Sequence, residues 1–267
     1  MASNLSAQRL IEQILDDLAV PARAQTVDTV VEGDAGAPVG AVVVTMMATL
    51  PVLAAAAEHG PALVITHEPV YFDHANAAVA ALRDEDDPVY RAKRDLIAAS
   101  GLVVWHLHDH LHDHLPDLID VGTLRALGWA VPDQPRPVVV DVPQTRLDAL
   151  ARYVAERLGA RALRSIGDPA LPVRRVGLNL GFCGAQINRA TLRRTDVDVL
   201  LIGEAHEWET GEYAADLVAT GAAKGLIVAG HIPSEQQGMA ELARHLGTIG
   251  LEVPVVFWAA DDPYRGL

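Results

Sequence analysis

The chain has 267 residues, half of them hydrophobic, and a single cysteine, Cys183. This length predicts about two domains or one large one. A formal net charge of −14 disfavours nucleic acid and anionic lipid as partners, and one cysteine excludes an internal disulfide and favours the cytoplasm. We expect no signal peptide and no membrane span, because no apolar run approaches about 18 residues.

Helix-like and strand-like segments alternate from the start of the chain. Apolar residues recur at helical spacing between Leu10 and Leu18, and Ser6 is the predicted N-cap of that helix. Further predicted strands are 39–46, 62–65 and 102–105, and further predicted helices are 51–59, 87–100 and 116–127.

The second half of the chain repeats this style. Its predicted strands are 137–142, 175–180, 197–202, 225–229 and 253–258, and its predicted helices are 146–158, 210–219 and 235–246. Such alternation predicts an α/β fold with mixed or largely parallel sheets. The proline-rich stretch 131–137 is the predicted boundary, which gives an N-terminal α/β domain over 1–131 and a C-terminal α/β domain over 132–267.

Three strand ends carry metal-binding residue types, and the first is Thr66-His67-Glu68-Pro69. Ligands in α/β sheets collect at the carboxyl ends of strands, and Pro69 favours a turn that would let His67 and Glu68 face one site. The alternative interpretation is a capping histidine and a solvated glutamate.

The second strand end leads into a segment with five histidines, WHLHDHLHDHLPD. As a strand it would place all five on one face, and as a helix it would pair His108 with His112 and His106 with His110. Either geometry offers two imidazoles to one ion. The alternative is a histidine-rich surface loop with adventitious metal affinity.

The third strand end is Ala229-Gly230-His231, followed by Glu235 at the expected start of a helix with Ser234 as its N-cap. Gly230 would let the backbone turn sharply, so that His231 and Glu235 chelate one ion. An ordinary strand-to-helix loop is the alternative. A related segment, Gly203-Glu204-Ala205-His206-Glu207, offers Glu204 as an acid/base or orienting residue.

Together these strand ends predict one site, because parallel strands bring their carboxyl ends to the same edge. A mixed set of imidazole and carboxylate ligands suits one or two ions of the Zn, Mn, Fe, Co or Ni type, and the lone cysteine excludes a cysteine-type structural zinc site. An open site of this kind is typical of metal-dependent hydrolysis.

The same motifs, together with MMATLPVLAAAAEHGPALVITHEP in the first half, resemble the NGG-one-interacting factor three family, whose bacterial members are often described as type 2 homologues of GTP cyclohydrolase. The resemblance spans nearly the whole chain. It implies two similar α/β domains, a dinuclear metal centre at strand carboxyl ends between them, and a toroidal hexamer.

The resemblance also implies a ligand set. The family's metal-binding positions fall on His67, Glu68, His108, His112, His231 and Glu235. Two positions depart from the family pattern, with Glu68 in place of a histidine and His112 in place of an aspartate. Asp109 or Asp113 could replace the missing aspartate after a small register shift.

We therefore predict a divalent-metal-dependent, dinuclear hydrolase for a small polar substrate of nucleotide-like or heterocyclic type, with Glu204 and His110 as acid/base residues. The alternatives are a non-catalytic metal-binding, metallochaperone or regulatory ring protein, and a metal-free protein whose histidines form a pH-responsive cluster. We also expect a small-molecule substrate as partner, a homo-oligomer and a cytoplasmic location.

Overall fold

The computed structural model describes residues 5–75 and 77–266. The chain divides into two compact units, one formed by Met1–His114 and Met239–Ala260, the other by Leu115–Gly238 and Asp261–Leu267. No helix among the described residues is long and apolar enough to cross a membrane. Secondary structure elements are numbered below in chain order.

The first unit contains a five-stranded sheet in the order β1-β4-β3-β2-β10. Its inner strands are apolar and buried, as strands covered on both faces are. Strands β2, β3, β4 and β10 are parallel, and β1 is antiparallel to β4. The strands are β1 (Val30–Glu32), β2 (Ala41–Thr45), β3 (Ala62–Thr66), β4 (Val103–His106) and β10 (Val255–Phe257).

Side-chain caps fix the starts of two helices of the first unit, α1 and α4. The Ser6 hydroxyl accepts the amide of Arg9, as the sequence predicts, and the Asp87 carboxylate accepts the amides of Val89 and Tyr90. The helices are α1 (Ala7–Leu18), α2 (Leu50–Ala57), α3 (Ala78–Asp84), α4 (Pro88–Ser100) and the short α5 (Asp109–Asp113).

The second unit contains its own sheet, in the order β5-β7-β8-β9-β6. Strands β7, β8 and β9 are parallel, and β5 and β6 are antiparallel edge strands. The strands are β5 (Val138–Arg146), β6 (Arg164–Ile166), β7 (Pro172–Asn179), β8 (Val199–Ile202) and β9 (Gly225–Val228). The helices are α6 (Leu118–Ala126), α7 (Leu147–Leu158), α8 (Ala185–Leu192), a π-helix (Glu207–Gly211) and α9 (Glu212–Ala219). Helix α10 (His231–Leu246) begins in the second unit and belongs to the first from Met239 onward.

The predicted α/β fold class with mixed and parallel sheets is confirmed. The compact units do not coincide with the predicted halves, because 115–131 belongs to the second unit and 239–260 to the first. The predicted last strand exists, but it pairs in parallel with β2 of the first sheet. That the chain consists of two domains divided after residue 131 stays a prediction.

One helix start differs from the sequence prediction. Helix α10 begins at His231, four residues before the expected start, so Ser234 lies inside its first turn and is not the N-cap. The Ser234 hydroxyl donates to the His231 carbonyl at 2.8 Å and accepts the amide of Gly181 at 3.1 Å. A proline at the third helical position, Pro233, is compatible with this early start because first-turn amides have no intrahelical partner.

Candidate metal centre

His67 and Glu68 lie directly after strand β3, and the backbone turns there as expected. The Thr66 hydroxyl donates to the Glu68 carbonyl at 2.9 Å, which holds this turn. His67 is fully buried and Glu68 almost so, and His67 Nδ1 lies 3.2 Å from the Leu107 carbonyl oxygen. A carbonyl accepts only, so Nδ1 carries the proton and Nε2 is the nitrogen whose lone pair could bind a metal ion.

The histidine-rich segment adopts the helical alternative. The Asp28 carboxylate accepts the amides of His108, Asp109 and His110 at 2.7, 2.8 and 2.9 Å, and so caps the start of α5. This turn puts His108 and His112 side by side, with ring centroids 4.6 Å apart. His110 points elsewhere, and its Nδ1 lies 2.5 Å from the Asp28 carboxylate.

His67, His108 and His112 form a three-nitrogen group within the first unit. One ring nitrogen from each lies within 4.8 Å of the other two. Burial, and next the neighbouring His112, lowers the pKa of His108 below its usual value, so that ring is neutral near pH 7. Neutral imidazole is the form that binds metal, and three such nitrogens fit Zn or a similar transition metal ion.

A second group consists of Glu68, His74 and His108, whose ligand atoms also lie within 4.8 Å of one another. His74 was missed by the sequence analysis. It lies beyond the Thr-His-Glu-Pro motif in the loop that precedes α3, and its Nε2 is 3.3 Å from a Glu68 oxygen. Its only sequence feature is its position, seven residues after His67.

Asp109 and Asp113 are held by Arg23. The guanidinium contacts Asp109 at 2.8 Å and both oxygens of Asp113 at 2.5 and 2.6 Å. The hydrogen bond from Arg23 lowers the pKa of the Asp113 carboxyl. Among the described residues, the groups that could hold an ion include His112 and neither aspartate. The alternative in which Asp109 or Asp113 replaces His112 stays a prediction, and in this structure Arg23 engages both carboxylates.

The second unit brings together the remaining predicted residues. His231 lies at the start of α10, with its Nε2 3.1 Å from the Glu235 carboxylate and its Nδ1 3.1 Å from the Glu204 carboxylate. Glu235 is buried, and Glu204 is half exposed. The hydrogen bond with His231 lowers the pKa of Glu204 and keeps that carboxyl ionised.

Glycines make this arrangement possible at the ends of β7 and β8. Gly181 has φ +63°, and a Cβ there would lie 2.4 Å from a Glu235 oxygen. At Gly203 a Cβ would lie 2.5 Å from the Ser234 hydroxyl. At Gly230, φ is +101°, which is the sharp turn expected before His231. These positions let the backbone approach the buried carboxylate closely.

The structure thus assembles the predicted residues in two sets. His67, His108 and His112 lie together in the first unit, with Glu68 beside them. Glu204, His231 and Glu235 lie together in the second unit. His110 belongs to neither set and contacts Asp28.

Two mixed β-sheets with intervening helices place this chain in the α/β class. Each sheet has histidine and carboxylate groups after its parallel strands. The chain matches the family model of Duf34/NIF3 (NGG1p interacting factor 3) over residues 7–263, and it belongs to that family. The resemblance noted in the sequence is therefore confirmed. No curated protein matches this chain in sequence.

Solved structures share the fold along the whole chain. Protein ybgI, described as of unknown function, has 22% identity and a TM-score of 0.74, covering 97% of this chain and 100% of its own. A Bacillus cereus protein related to NIF3 has 13% identity and a TM-score of 0.76, covering 99% and 100%. Reduced HcgD from Methanocaldococcus jannaschii has 15% identity and a TM-score of 0.66, covering 96% and 99%. At these identities the likeness concerns the fold alone.

Proposed function

We propose that this protein is a divalent-metal-dependent hydrolase that acts on a small polar substrate of nucleotide-like or heterocyclic type. The metal ligands in this proposal are His67, Glu68, His108, His112, His231 and Glu235, and the expected number of ions is two. The observation that carries the proposal is the three-imidazole group of the first unit, in which His67 is buried and His108 and His112 are half-buried. A metal ion is the usual reason to gather three imidazoles in one place.

A bound Zn-type ion would supply a water molecule acidified towards neutral pH. The residues of this chain would do the rest. His67 is oriented by the Leu107 carbonyl, and the α5 turn is held by Asp28, which fixes the ligand nitrogens before any ion arrives. Glu204 is ionised and half exposed, so it can accept a proton from a group in the solvent-facing part of the site.

His110 is the less favoured of the two proposed acid/base residues. Its ring is buried and its Nδ1 is engaged with Asp28. A proton shuttle must reach the reacting group, and this contact directs the ring to Asp28. We therefore assign the main acid/base role in the proposal to Glu204.

Elemental analysis of untagged protein tests the proposal first. We expect stoichiometric Zn, Mn, Fe, Co or Ni, followed by turnover on a panel of phosphoesters, cyclic amides and purine rings. The Glu235→Ala variant should lose metal and activity without unfolding, and His59→Ala, an exposed histidine at the end of α2, is the matched control. Full activity in a Glu235→Ala protein that has lost its metal would refute the assigned role.

We also propose a cytoplasmic homo-oligomer, with the hexamer implied by the family as the expected form. Large exposed apolar side chains in the second unit, among them Phe182, Ile187 and Trp208, are consistent with further association. Light scattering coupled to size exclusion measures the oligomer mass directly. Weak, exchangeable binding of many metals without turnover would instead favour a metal-storage or regulatory protein.

A further inference from the structure

We propose that His74 is a metal ligand, paired with Glu68 at the second ion position of this protein. The inference rests on the proposed metal-dependent function and deepens it, because it adds a ligand outside the set that the sequence motifs provide. Glu68 and His74 would be ligands of the second ion, and His67, His108 and His112 would be ligands of the first, in addition to the proposed ligands His231 and Glu235.

The loop that carries His74 is fixed in place by its neighbours. The Lys93 ammonium donates to the Val70 carbonyl at 2.8 Å. The Asp73 carboxylate accepts the amides of Ala75, Ala77 and Ala78, the last of which is the first residue of α3. The position of His74 beside Glu68 is therefore supported on both sides.

The donor atoms at this position match those of a transition metal site. His74 Nε2 lies 3.3 Å from a buried Glu68 oxygen, and a nitrogen of His108 completes a group within 4.8 Å. An unprotonated imidazole nitrogen has one lone pair in the plane of the ring, so one nitrogen of His108 can bind only one ion at a time. Since His67 and His112 already surround His108, His74 and Glu68 remain as the ligands that distinguish the second position.

Unsatisfied ring nitrogens around His74 are the independent observation. His106 ends β4, is fully buried, and stacks on His74 with ring centroids 5.3 Å apart. Within the part of the chain that the structure describes, neither ring nitrogen of His106 has a hydrogen-bond partner, and neither has the buried Nδ1 of His74. Buried polar atoms are normally satisfied, so three such atoms at one place indicate a polar species there, such as an ion with its bound water.

A cavity of about 430 Å³ gives this position access to solvent. His74 and Asp109 line it, together with Arg23 and Thr26. An ion held by His74 would therefore be reachable by water and by a small molecule. A purely structural histidine–glutamate pair has no need of such access.

The experiment compares metal binding in His74→Ala, His59→Ala and unaltered protein, all without a tag and reloaded with Zn²⁺. We expect about two ions per chain in the unaltered and His59→Ala proteins and about one in His74→Ala. Loss of a residue that only hydrogen-bonds to a metal ligand lowers metal affinity about 10–100-fold. Loss of a ligand itself should lower the affinity at least as much. His74 is 44% exposed, so thermal melting of the metal-free proteins should show similar stability.

A ligand exchange gives a second readout that activity does not influence. In His74→Cys loaded with Co²⁺, a cysteine thiolate bound to cobalt should add a near-ultraviolet charge-transfer band. The unaltered protein contains Cys183 and serves as the control for that band. Two ions bound equally in His74→Ala, or no new band in His74→Cys, would overturn the role of His74 and leave the proposed function intact. Absence of stoichiometric metal from the unaltered protein would overturn both.

Discussion

Asp28 is expected to set both the stability of the α5 turn and the position of its histidines. One carboxylate oxygen accepts the amides of His108 and Asp109, and the other accepts the amide of His110 and contacts its Nδ1. The side chain is 1% exposed. An asparagine has one oxygen and one NH2 group in place of the two carboxylate oxygens. In Asp28→Asn the NH2 group therefore faces one of the two pairs of donors, whichever way the amide is oriented.

The expected cost follows from that geometry. Two hydrogen bonds to a charged acceptor are lost at about 1.5–3 kcal/mol each, and partial relaxation reduces the sum to about 2–4 kcal/mol. Asp141→Asn, at an exposed position on β5, removes the same charge and should change the free energy of unfolding by less than about 0.5 kcal/mol. High salt should leave the difference between the two variants nearly unchanged, because the Asp28 contacts are buried.

Urea denaturation of the metal-free proteins measures this difference. Amide hydrogen exchange gives the local readout, since the amides of His108, Asp109 and His110 should lose protection in Asp28→Asn and keep it in Asp141→Asn. Equal unfolding free energies in the two variants would show that this carboxylate does not hold the turn.

Three further perturbations test the second unit. Gly181→Ala should cost about 1–3 kcal/mol more than Gly159→Ala, because both glycines have positive φ but only Gly181 faces a carboxylate at 2.4 Å; equal urea midpoints would contradict this. Burial raises the pKa of the Cys183 thiol to about 11, so at pH 8 iodoacetamide should react roughly 100-fold more slowly than with an unperturbed thiol, until denaturant removes the difference. Arg136→Met should lower the free energy of unfolding by about 2–4 kcal/mol, because it leaves two buried aspartates without their cation. Arg152→Met removes an exposed ion pair and should lower it by less than about 0.5 kcal/mol. Similar losses of stability in both variants would rule out a special role for the buried ion pairs of Arg136.

Much of the fold could be predicted because its determinants are local. Ser6, Asp87 and Gly101 mark helix ends through short-range hydrogen bonds and φ preferences, and the apolar runs of β3 and β8 identify buried parallel strands. The alternation of these segments is enough to give the α/β class.

The parts that could not be predicted depend on contacts between distant residues. Asp28 caps a turn 80 residues later, and Arg23 pairs with Asp113 across 90 positions. Neither partner can be read from a local pattern. The same limit hides His74, whose value as a ligand arises only from its distance to Glu68.

The helix start at His231 shows a third kind of limit. Sequence preference favours Ser234 as an N-cap, but the Ser234 hydroxyl instead joins the first turn to the Gly181 backbone. A tertiary contact therefore overrides a local preference, and it does so beside Glu235. Such conflicts are expected at functional sites, where packing serves the site as well as the fold.

Strand β10 has a consequence for how the chain is made. Because β10 covers the outer edge of β2, the first sheet keeps an open edge through synthesis of Leu115–Gly238, until residue 257 has left the ribosome. An open parallel edge invites pairing with other chains, so the nascent protein has a long interval of exposure to aggregation and to chaperones. Substitutions that weaken β10 would therefore cause misfolding of the first unit, although most of that unit is synthesised long before β10.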